Sequence, residues 1–89
     1  MWRIAPLRGR VRRALERLSP DKRAAVFEAF ESIERNAYYD VDRPKAISHM
    51  KGEWLCHREF RALPQAMRII YSVRDAEREI EVKYIGLHP

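Results

Sequence analysis

The sequence predicts an α+β fold in which an N-terminal helical hairpin packs on a small, mainly antiparallel β-sheet. Two observations support this fold. Apolar residues recur at helical spacing over residues 7–35, whereas from about residue 54 onward they alternate with polar residues. A polar segment, residues 75–78, separates two of these alternating runs, as is typical of a β-hairpin turn. With 89 residues, the chain is expected to form one domain that spans residues 1–89.

The two helices are predicted from their apolar spacing and from one helix-start signal. The first covers residues 7–18, and its apolar positions are Leu7, Val11, Leu15 and Leu18. Ser19 is expected to cap the second helix, because Pro20 follows it at the first helical position. The second helix should extend to about Arg35. Its inward-facing residues are predicted to be Val26, Phe27, Phe30 and Ile33.

The β-sheet is predicted from the second half of the chain. Residues 36–52 contain Asn, Asp, Pro and Gly and are expected to form a long surface loop. Residues 54–61 are predicted to form a further strand, although their alternation of apolar and polar residues is imperfect. Residues 2–4 are expected to add a short first strand. In the final hairpin, one face is expected to join the core: Met67, Ile69, Tyr71, Val73, Ile80, Val82 and Tyr84. The other face would carry Arg68, Ile70, Ser72, Lys83, Ile85 and Leu87.

The composition excludes several classes of protein. The single cysteine, Cys56, cannot form an internal disulfide, and no apolar run is long enough for a membrane span. No signal peptide is visible at the N-terminus, so a cytoplasmic protein is expected. The net charge is +5, and arginine provides most of the 18 cations. Arginine suits bidentate contacts to phosphate, although a GC-rich genome explains the same bias equally well.

A cationic cluster at one end of the sheet is the first candidate site. Its members are Lys51, Arg58, Arg61, Arg68 and Lys83. Three arginines on adjacent strands can converge on one phosphate, with Trp54, Phe60 or Tyr84 available to stack on an RNA base. The alternative is that glutamates on the same strands pair with these cations. The arginines of the first helix offer another surface for nucleic acid, for which a solvated helix face is the simpler interpretation.

His88, at the end of the last strand, is the second candidate. A histidine there can transfer a proton to or from an RNA ribose or leaving oxygen, although a solvated terminal histidine is the commoner case. Cys56 and His57 are adjacent on a predicted strand, so they would point to opposite faces and form no catalytic pair. The sequence has no zinc-ligand spacing, phosphate-binding glycine loop or nucleophile elbow. Neither a metal nor a cofactor is therefore expected.

Three segments resemble the RelE/ParE toxin superfamily of type II toxin–antitoxin modules. They are Lys51-Gly52-Glu53-Trp54, the strand Met67-Arg68-Ile69-Ile70-Tyr71-Ser72-Val73, and the ending Ile85-Gly86-Leu87-His88. The resemblance covers nearly the whole chain and implies a RelE-like domain. In the RelE-like branch it implies a metal-independent endoribonuclease that cuts mRNA on the ribosome, together with an acidic cognate antitoxin as partner.

The resemblance also implies roles for individual residues. Arg68 matches the arginine that contacts the scissile phosphate, and His88 matches an active-site position that carries arginine or histidine. Arg58 and Arg61 lie on the strand that supplies further basic residues to the site. Many relatives continue into a tail with a catalytic tyrosine, whereas this chain stops at Pro89. Catalysis is therefore expected either to be weak or absent, or to depend on His88 and the arginines.

Two hypotheses about function follow. The first is a ribosome-dependent mRNA endonuclease toxin that uses Arg61, Arg68 and His88, with Lys51, Arg58, Lys83 and Tyr84 as further RNA contacts. The second is a non-catalytic relative, either a ParE-like toxin directed at DNA gyrase or a protein that only binds its antitoxin. His88 favours the first hypothesis, and the missing tail favours the second. A general RNA-binding module would need exposed aromatic pairs on the sheet, which the sequence does not supply.

Overall fold

The computed structural model describes residues 1–87 of the chain. The elements are β1 Arg3–Ile4, α1 Gly9–Glu16, α2 Pro20–Arg35, β2 Ile47–His49, β3 Arg58–Phe60, β4 Met67–Arg74 and β5 Glu79–Leu87. Two helices thus precede most of the sheet, and the predicted α+β fold is confirmed. His88, a predicted site residue, lies outside the described residues.

The five strands form one sheet in the order β1-β5-β4-β3-β2. β1 runs parallel to β5, and the other three pairings are antiparallel. The predicted short first strand is therefore present, and it pairs with β5 through Arg3 and Ile4. The turn at residues 75–78 joins β4 to β5, as the polar segment predicted.

The hydrophobic core lies between the two helices and one face of the sheet, which we call the inner face. From the helices it receives Val11, Leu15, Val26, Ala29, Phe30 and Ile33. From the strands it receives Phe60, Met67, Ile69, Tyr71, Ile80, Val82 and Ile85. Apolar spacing of three or four in the helices and of two in the strands places these side chains on facing surfaces. Their burial is the main favourable contribution to folding.

The start of α2 follows the predicted signal. The Ser19 hydroxyl accepts a hydrogen bond from the backbone N–H of Lys22 at 3.4 Å, and Pro20 occupies the first helical position. One predicted inward residue is wrong, because Phe27 is half exposed. The inward stripe consists of positions 26, 29, 30 and 33, and Phe27 lies beside it with its ring edge against Phe30.

The predicted loop at residues 36–52 is wrong in one part, because it contains strand β2. Ile47 pairs with Phe60 and His49 pairs with Arg58, so this strand exists through its partner β3. Three residues are too few to show an alternating pattern in the sequence. The predicted strand at residues 54–61 is shorter than expected. A 3₁₀ turn spans Gly52–Trp54, and Cys56 has a φ of 70°, so extended pairing begins only at Arg58.

A β-bulge in β5 overturns the predicted register of the final hairpin. Tyr71 pairs with Val82, but its neighbour Ile70 pairs with Tyr84, which leaves Lys83 as an extra residue. Every position beyond the bulge therefore changes face. Tyr84 does not point into the core as predicted, and Ile85 is buried in the core instead of lying on the opposite face.

Tyr71 is a fully buried side chain whose hydroxyl donates a 2.7 Å hydrogen bond to the backbone carbonyl of Ala37. Burial raises the pKa of the Tyr71 hydroxyl, so the group remains a neutral donor at physiological pH. This bond fixes the chain after α2 to the central strand β4.

We expect Tyr71→Phe to lower the free energy of unfolding by roughly 1–2 kcal/mol, because the buried carbonyl of Ala37 loses its donor. Urea denaturation followed by circular dichroism measures this change. Tyr39→Phe is the matched control, since the Tyr39 side chain is exposed. Equal stability of the two variants would contradict a structural role for the Tyr71 hydroxyl.

Candidate functional site

The sheet face opposite the helices, which we call the outer face, carries a row of side chains from four strands. Cross-strand pairing aligns Ser48 with Glu59, Glu59 with Ile70, and Ile70 with Tyr84. Arg68 lies two residues before Ile70 on the same face and pairs with Gly86. The outer face therefore combines an acid, a cation and an aromatic side chain on a rigid sheet.

Glu59 and Arg68 form an ion pair on this face. The Oε2 atom of Glu59 lies 3.6 Å from the Nε atom of Arg68, and the two side chains are 10% and 20% exposed. Both atoms are buried without a hydrogen-bond partner among the described residues. An ion pair in this environment holds the arginine from its Nε side, because separating the charges would leave each of them poorly solvated.

Glu59 is shared with two other side chains. Its Oε1 atom accepts a 3.4 Å hydrogen bond from the Ser48 hydroxyl and lies 3.9 Å from Nε of Arg61. One carboxylate therefore faces two arginines, and this group of three carries one net positive charge. Such a group can orient an arginine and still attract an anion.

Tyr84 lies across the backbone of Gly86, the residue paired with Arg68. Its hydroxyl donates a 2.6 Å hydrogen bond to the carbonyl of Leu87. A Cβ atom on Gly86 would lie 2.9 Å from the Tyr84 hydroxyl oxygen, so glycine is required for this close approach. The phenol thus borders the Arg68 position on the outer face.

A cleft opens beside Arg68, between the segment before β2 and the segment after β3. We call it the Arg43–Arg61 cleft, and its volume is about 600 Å³. It is lined by Arg43, Pro44, Lys45, Ala46, Arg61, Ala62 and Arg68. Four of these seven residues are cations, so the cleft is suited to an anionic ligand.

Asp40 fixes the segment that carries Arg43 and Lys45. Its carboxylate accepts hydrogen bonds from the Ser32 hydroxyl at 2.7 Å and from the backbone N–H groups of Asp42 and Arg43 at 2.9 Å. The Arg43 guanidinium adds an ion pair at 3.1 Å. Burial opposes the charge on Asp40, but these donors outweigh it and hold the pKa of the carboxyl below its usual value.

Solved structures show which known fold this arrangement belongs to. The chain matches the RelBE2 toxin–antitoxin complex of Mycobacterium tuberculosis at a TM-score of 0.76 and 19% identity, covering 98% of both chains. It matches the E. coli RelBE complex at 0.75 and 10% identity, covering 100% and 99%. It matches the YoeB–YefM complex of Staphylococcus aureus at 0.71 and 14% identity, with the same coverage. The fold is RelE-like.

This result confirms the resemblance at the level of the fold. The whole described sheet and both helices are included, since the matches extend over essentially the full chain. No protein-family model matches the sequence, and no curated protein matches it either. Sequence identities of 10–19% are too low to transfer residue roles, so these are argued from the geometry.

The RelE-like fold brings together two of the predicted arginines and separates the third. Arg61 and Arg68 both line the cleft and both face Glu59. Arg58 pairs with Tyr71 on the inner face, and its guanidinium lies 4.5 Å from the centre of the Tyr38 ring. The prediction that all three converge on one phosphate is therefore wrong. Arg58 lies on the inner face of β3, whereas Arg61, three residues later and just beyond the end of β3, lies beside Glu59 on the outer face.

The other residues that were predicted to contact RNA do not lie together in the structure. Lys51 is exposed in the loop after β2, and Lys83 forms a 3.3 Å ion pair with Glu81. Tyr84 lies on the outer face, so it is available to a ligand there, whereas the predicted stacking residue Phe60 is completely buried. The alternative of pairing between cations and strand glutamates is thus observed at Arg61, Arg68 and Lys83.

Three further residues of the site, Glu59, Arg43 and Lys45, are not predicted from the sequence as site residues. Glu59 is one of the strand glutamates that can pair with cations, and the signal for its face is the alternation with Phe60, the next residue, which is buried. Arg43 and Lys45 gave no signal, since a loop has no period from which to infer a direction.

Within residues 1–87, no group of three or more His, Cys, Asp or Glu side chains is arranged to hold a metal ion. Over the same residues, no helix has the length and apolar character needed to cross a membrane.

The lowered pKa of Asp40 predicts a dependence of stability on pH. The pKa of Asp40 in the folded state lies below its value of about 4 in the unfolded state. The charged carboxylate therefore contributes fully to the free energy of unfolding above about pH 4, and this contribution is lost as pH falls through the folded-state pKa. We expect Asp40→Asn to lower the free energy of unfolding at neutral pH by about 1–3 kcal/mol and to weaken the loss of stability below about pH 4. Urea denaturation across a pH series measures both effects. Asp42→Asn, at an exposed neighbour, is the control, and an equal response of the two variants would contradict the anchoring role.

The Glu59–Arg68 pair predicts non-additive effects on stability. Arg68→Ala should lower the free energy of unfolding by about 1–3 kcal/mol, because Glu59 is left poorly solvated without its partner. Adding Glu59→Gln should then cost less than it does in the wild type. A double-mutant cycle by urea denaturation measures the coupling. Arg74→Ala is the control. Arg74 lies on the same strand as Arg68, is exposed and pairs with Glu79, so its removal should change stability little. Additive losses at Glu59 and Arg68 would argue against the pair.

Proposed function

We propose that the protein is the toxin of a type II toxin–antitoxin module and acts as a metal-independent endoribonuclease on mRNA at the ribosome. The observation that carries this proposal is Arg68, held by the buried Glu59 carboxylate on the outer face of a RelE-like fold. An arginine fixed on a strand presents its donors at a defined position, as the binding of a reacting phosphate requires.

In this proposal, the RNA is cleaved by its own 2′-hydroxyl. The 2′-oxygen bonds to phosphorus, the bond from phosphorus to the 5′-oxygen breaks, and a 2′,3′-cyclic phosphate remains. One proton leaves the 2′-hydroxyl and one joins the 5′-oxygen. His88 either accepts the proton of the 2′-hydroxyl or donates a proton to the 5′-oxygen, and water exchanges the other proton. Arg68 stabilises the negative charge that develops on the phosphate.

Glu59 serves as a positioning residue in this mechanism. Nε of Arg68 is the nitrogen that is buried next to the Glu59 carboxylate, so the two Nη atoms remain to contact the phosphate. Arg61 shares the same carboxylate and supplies a second cation beside the reacting group. So few catalytic groups suffice if the ribosome orients the mRNA, because a positioned substrate lowers the barrier without further chemistry.

The proposed partner is an acidic antitoxin. The similar structures are toxin–antitoxin complexes of M. tuberculosis, E. coli and S. aureus. A net charge of +5 favours an acidic partner for this chain, and an mRNA substrate on the ribosome implies a cytoplasmic site of action.

A cell-free translation reaction with primer extension of the mRNA tests the proposal. Wild-type protein should produce new mRNA ends only when ribosomes are present. Arg68→Ala should reduce their formation on the order of 100-fold or more, since a donor to the reacting phosphate is lost. Arg68→Lys should also lose most activity, because a single ammonium group lacks the two-donor geometry of the guanidinium. His88→Ala should lose activity as well.

Arg74→Ala is the matched control for these variants. It removes one positive charge from the same face of β4, at the far end of the strand, and should leave cleavage unchanged. Circular dichroism shows whether each variant is folded. Full cleavage by folded Arg68→Ala would refute its phosphate role. Intact mRNA with wild-type protein would favour the non-catalytic alternative, with DNA gyrase as the next target to examine.

A further inference from the structure

The charge of the Arg43–Arg61 cleft is not fully balanced by neighbouring acids. Asp40 pairs with Arg43, and Glu59 is shared between Arg61 and Arg68. Lys45 is exposed and forms no ion pair within residues 1–87. Four cations and two carboxylates give the cleft a net charge of +2, which exceeds in magnitude the single negative charge of one phosphodiester group.

The walls of the cleft are held in place before any ligand binds. Nη2 of Arg61 donates a 3.1 Å hydrogen bond to the backbone carbonyl of Lys45. The backbone N–H of Arg61 donates a 2.7 Å hydrogen bond to the backbone carbonyl of Ala46. The Arg43 guanidinium lies 5.2 Å from the centre of the Phe60 ring while it is bound to Asp40. Because these cations are already ordered, little side-chain entropy is lost on binding an anion.

The shape and lining of the cleft suit one nucleotide. Its volume of about 600 Å³ falls within the range of roughly 300–1,000 Å³ that is usual for small-ligand sites. Pro44, Ala46 and Ala62 give it an apolar wall, against which a base or ribose can pack. Arg68 lines the same cleft, so an RNA strand that binds Arg68 reaches it directly.

We infer that the Arg43–Arg61 cleft is a second RNA subsite, which binds the nucleotide next to the scissile phosphate. Lys45 contacts the phosphate of that nucleotide, and the apolar wall contacts its base or ribose. Arg61, which faces Glu59 and is hydrogen-bonded to the carbonyl of Lys45, lies between this phosphate and the scissile phosphate. This inference rests on the proposed function, because it takes the RNA strand held at Arg68 as the ligand.

Fluorescence anisotropy with a short, labelled single-stranded RNA tests the subsite. The RNA carries 2′-O-methyl groups, so it cannot be cleaved and the measurement reports binding alone. Lys45→Ala and Arg61→Ala should each weaken binding about tenfold, and each should reduce the slope of log affinity against log salt by about 0.7–1. Lys22→Ala and Arg74→Ala are the matched controls outside the cleft, and both should bind like the wild type.

Three results would overturn the inference. The first is an affinity of the folded Lys45→Ala variant for RNA equal to that of Lys22→Ala. The second is no binding of RNA by the wild-type protein. The third is Lys45-dependent binding of a polyglutamate peptide without such binding of RNA, which would assign the cleft to an acidic protein partner. The proposed nuclease fails separately. Intact mRNA in the translation reaction, together with Lys45-dependent RNA binding, would refute cleavage and leave the subsite standing.

Discussion

The pairing of β4 with β5, with one extra residue at Lys83, is the constraint on which the rest of the structure depends. Before the bulge, Ile80 and Val82 join the core, and after it the chain continues with Ile85 on that inner face. Tyr84 is thereby turned to the outer face, next to the strand that carries Arg68. A regular hairpin would have placed a phenol in the core and an isoleucine on the candidate site.

The position of Arg68 is set by the acid beside it, Glu59. Glu59 is 7% exposed, so its charge needs a partner, and Arg68 and Arg61 both provide one. The carboxylate limits the movement of the two arginines, while the group of three retains a net positive charge. In the proposed function, the phosphate of the RNA would therefore bind to arginines that are already ordered and still carry a net positive charge.

A second buried acid organises the neighbouring surface in the same way. Asp40 is 5% exposed, receives several hydrogen bonds and fixes the turn that presents Arg43 and Lys45 to the cleft. A loop with such an anchor behaves as part of the scaffold, because moving it would expose an unsatisfied buried charge. The cationic cleft thus has one wall set by the sheet and one set by this acid.

The sequence by itself determined the layers of the fold and the extents of the longer elements. Helical spacing, the Ser19 cap and the alternation within residues 67–73 depend on neighbours in the chain, and each was found in the structure. It also identified Arg61 and Arg68 as candidate site residues, and both lie together beside one cleft. Their roles in binding RNA remain predictions.

Only the tertiary structure decided which side chains share a face at the ends of the strands. Strand β2 exists because β3 pairs with it. Tyr84 lies on the face opposite to the predicted one because the alternation of a strand is shifted at a bulge, and Arg58 is separated from Arg61 and Arg68 because it lies on the inner face. A single inserted residue reverses the direction of every later side chain, and local sequence does not reveal where a partner strand imposes it. Likewise, Glu59 and Lys45 joined the site through contacts between residues far apart in the chain, which the sequence alone does not show.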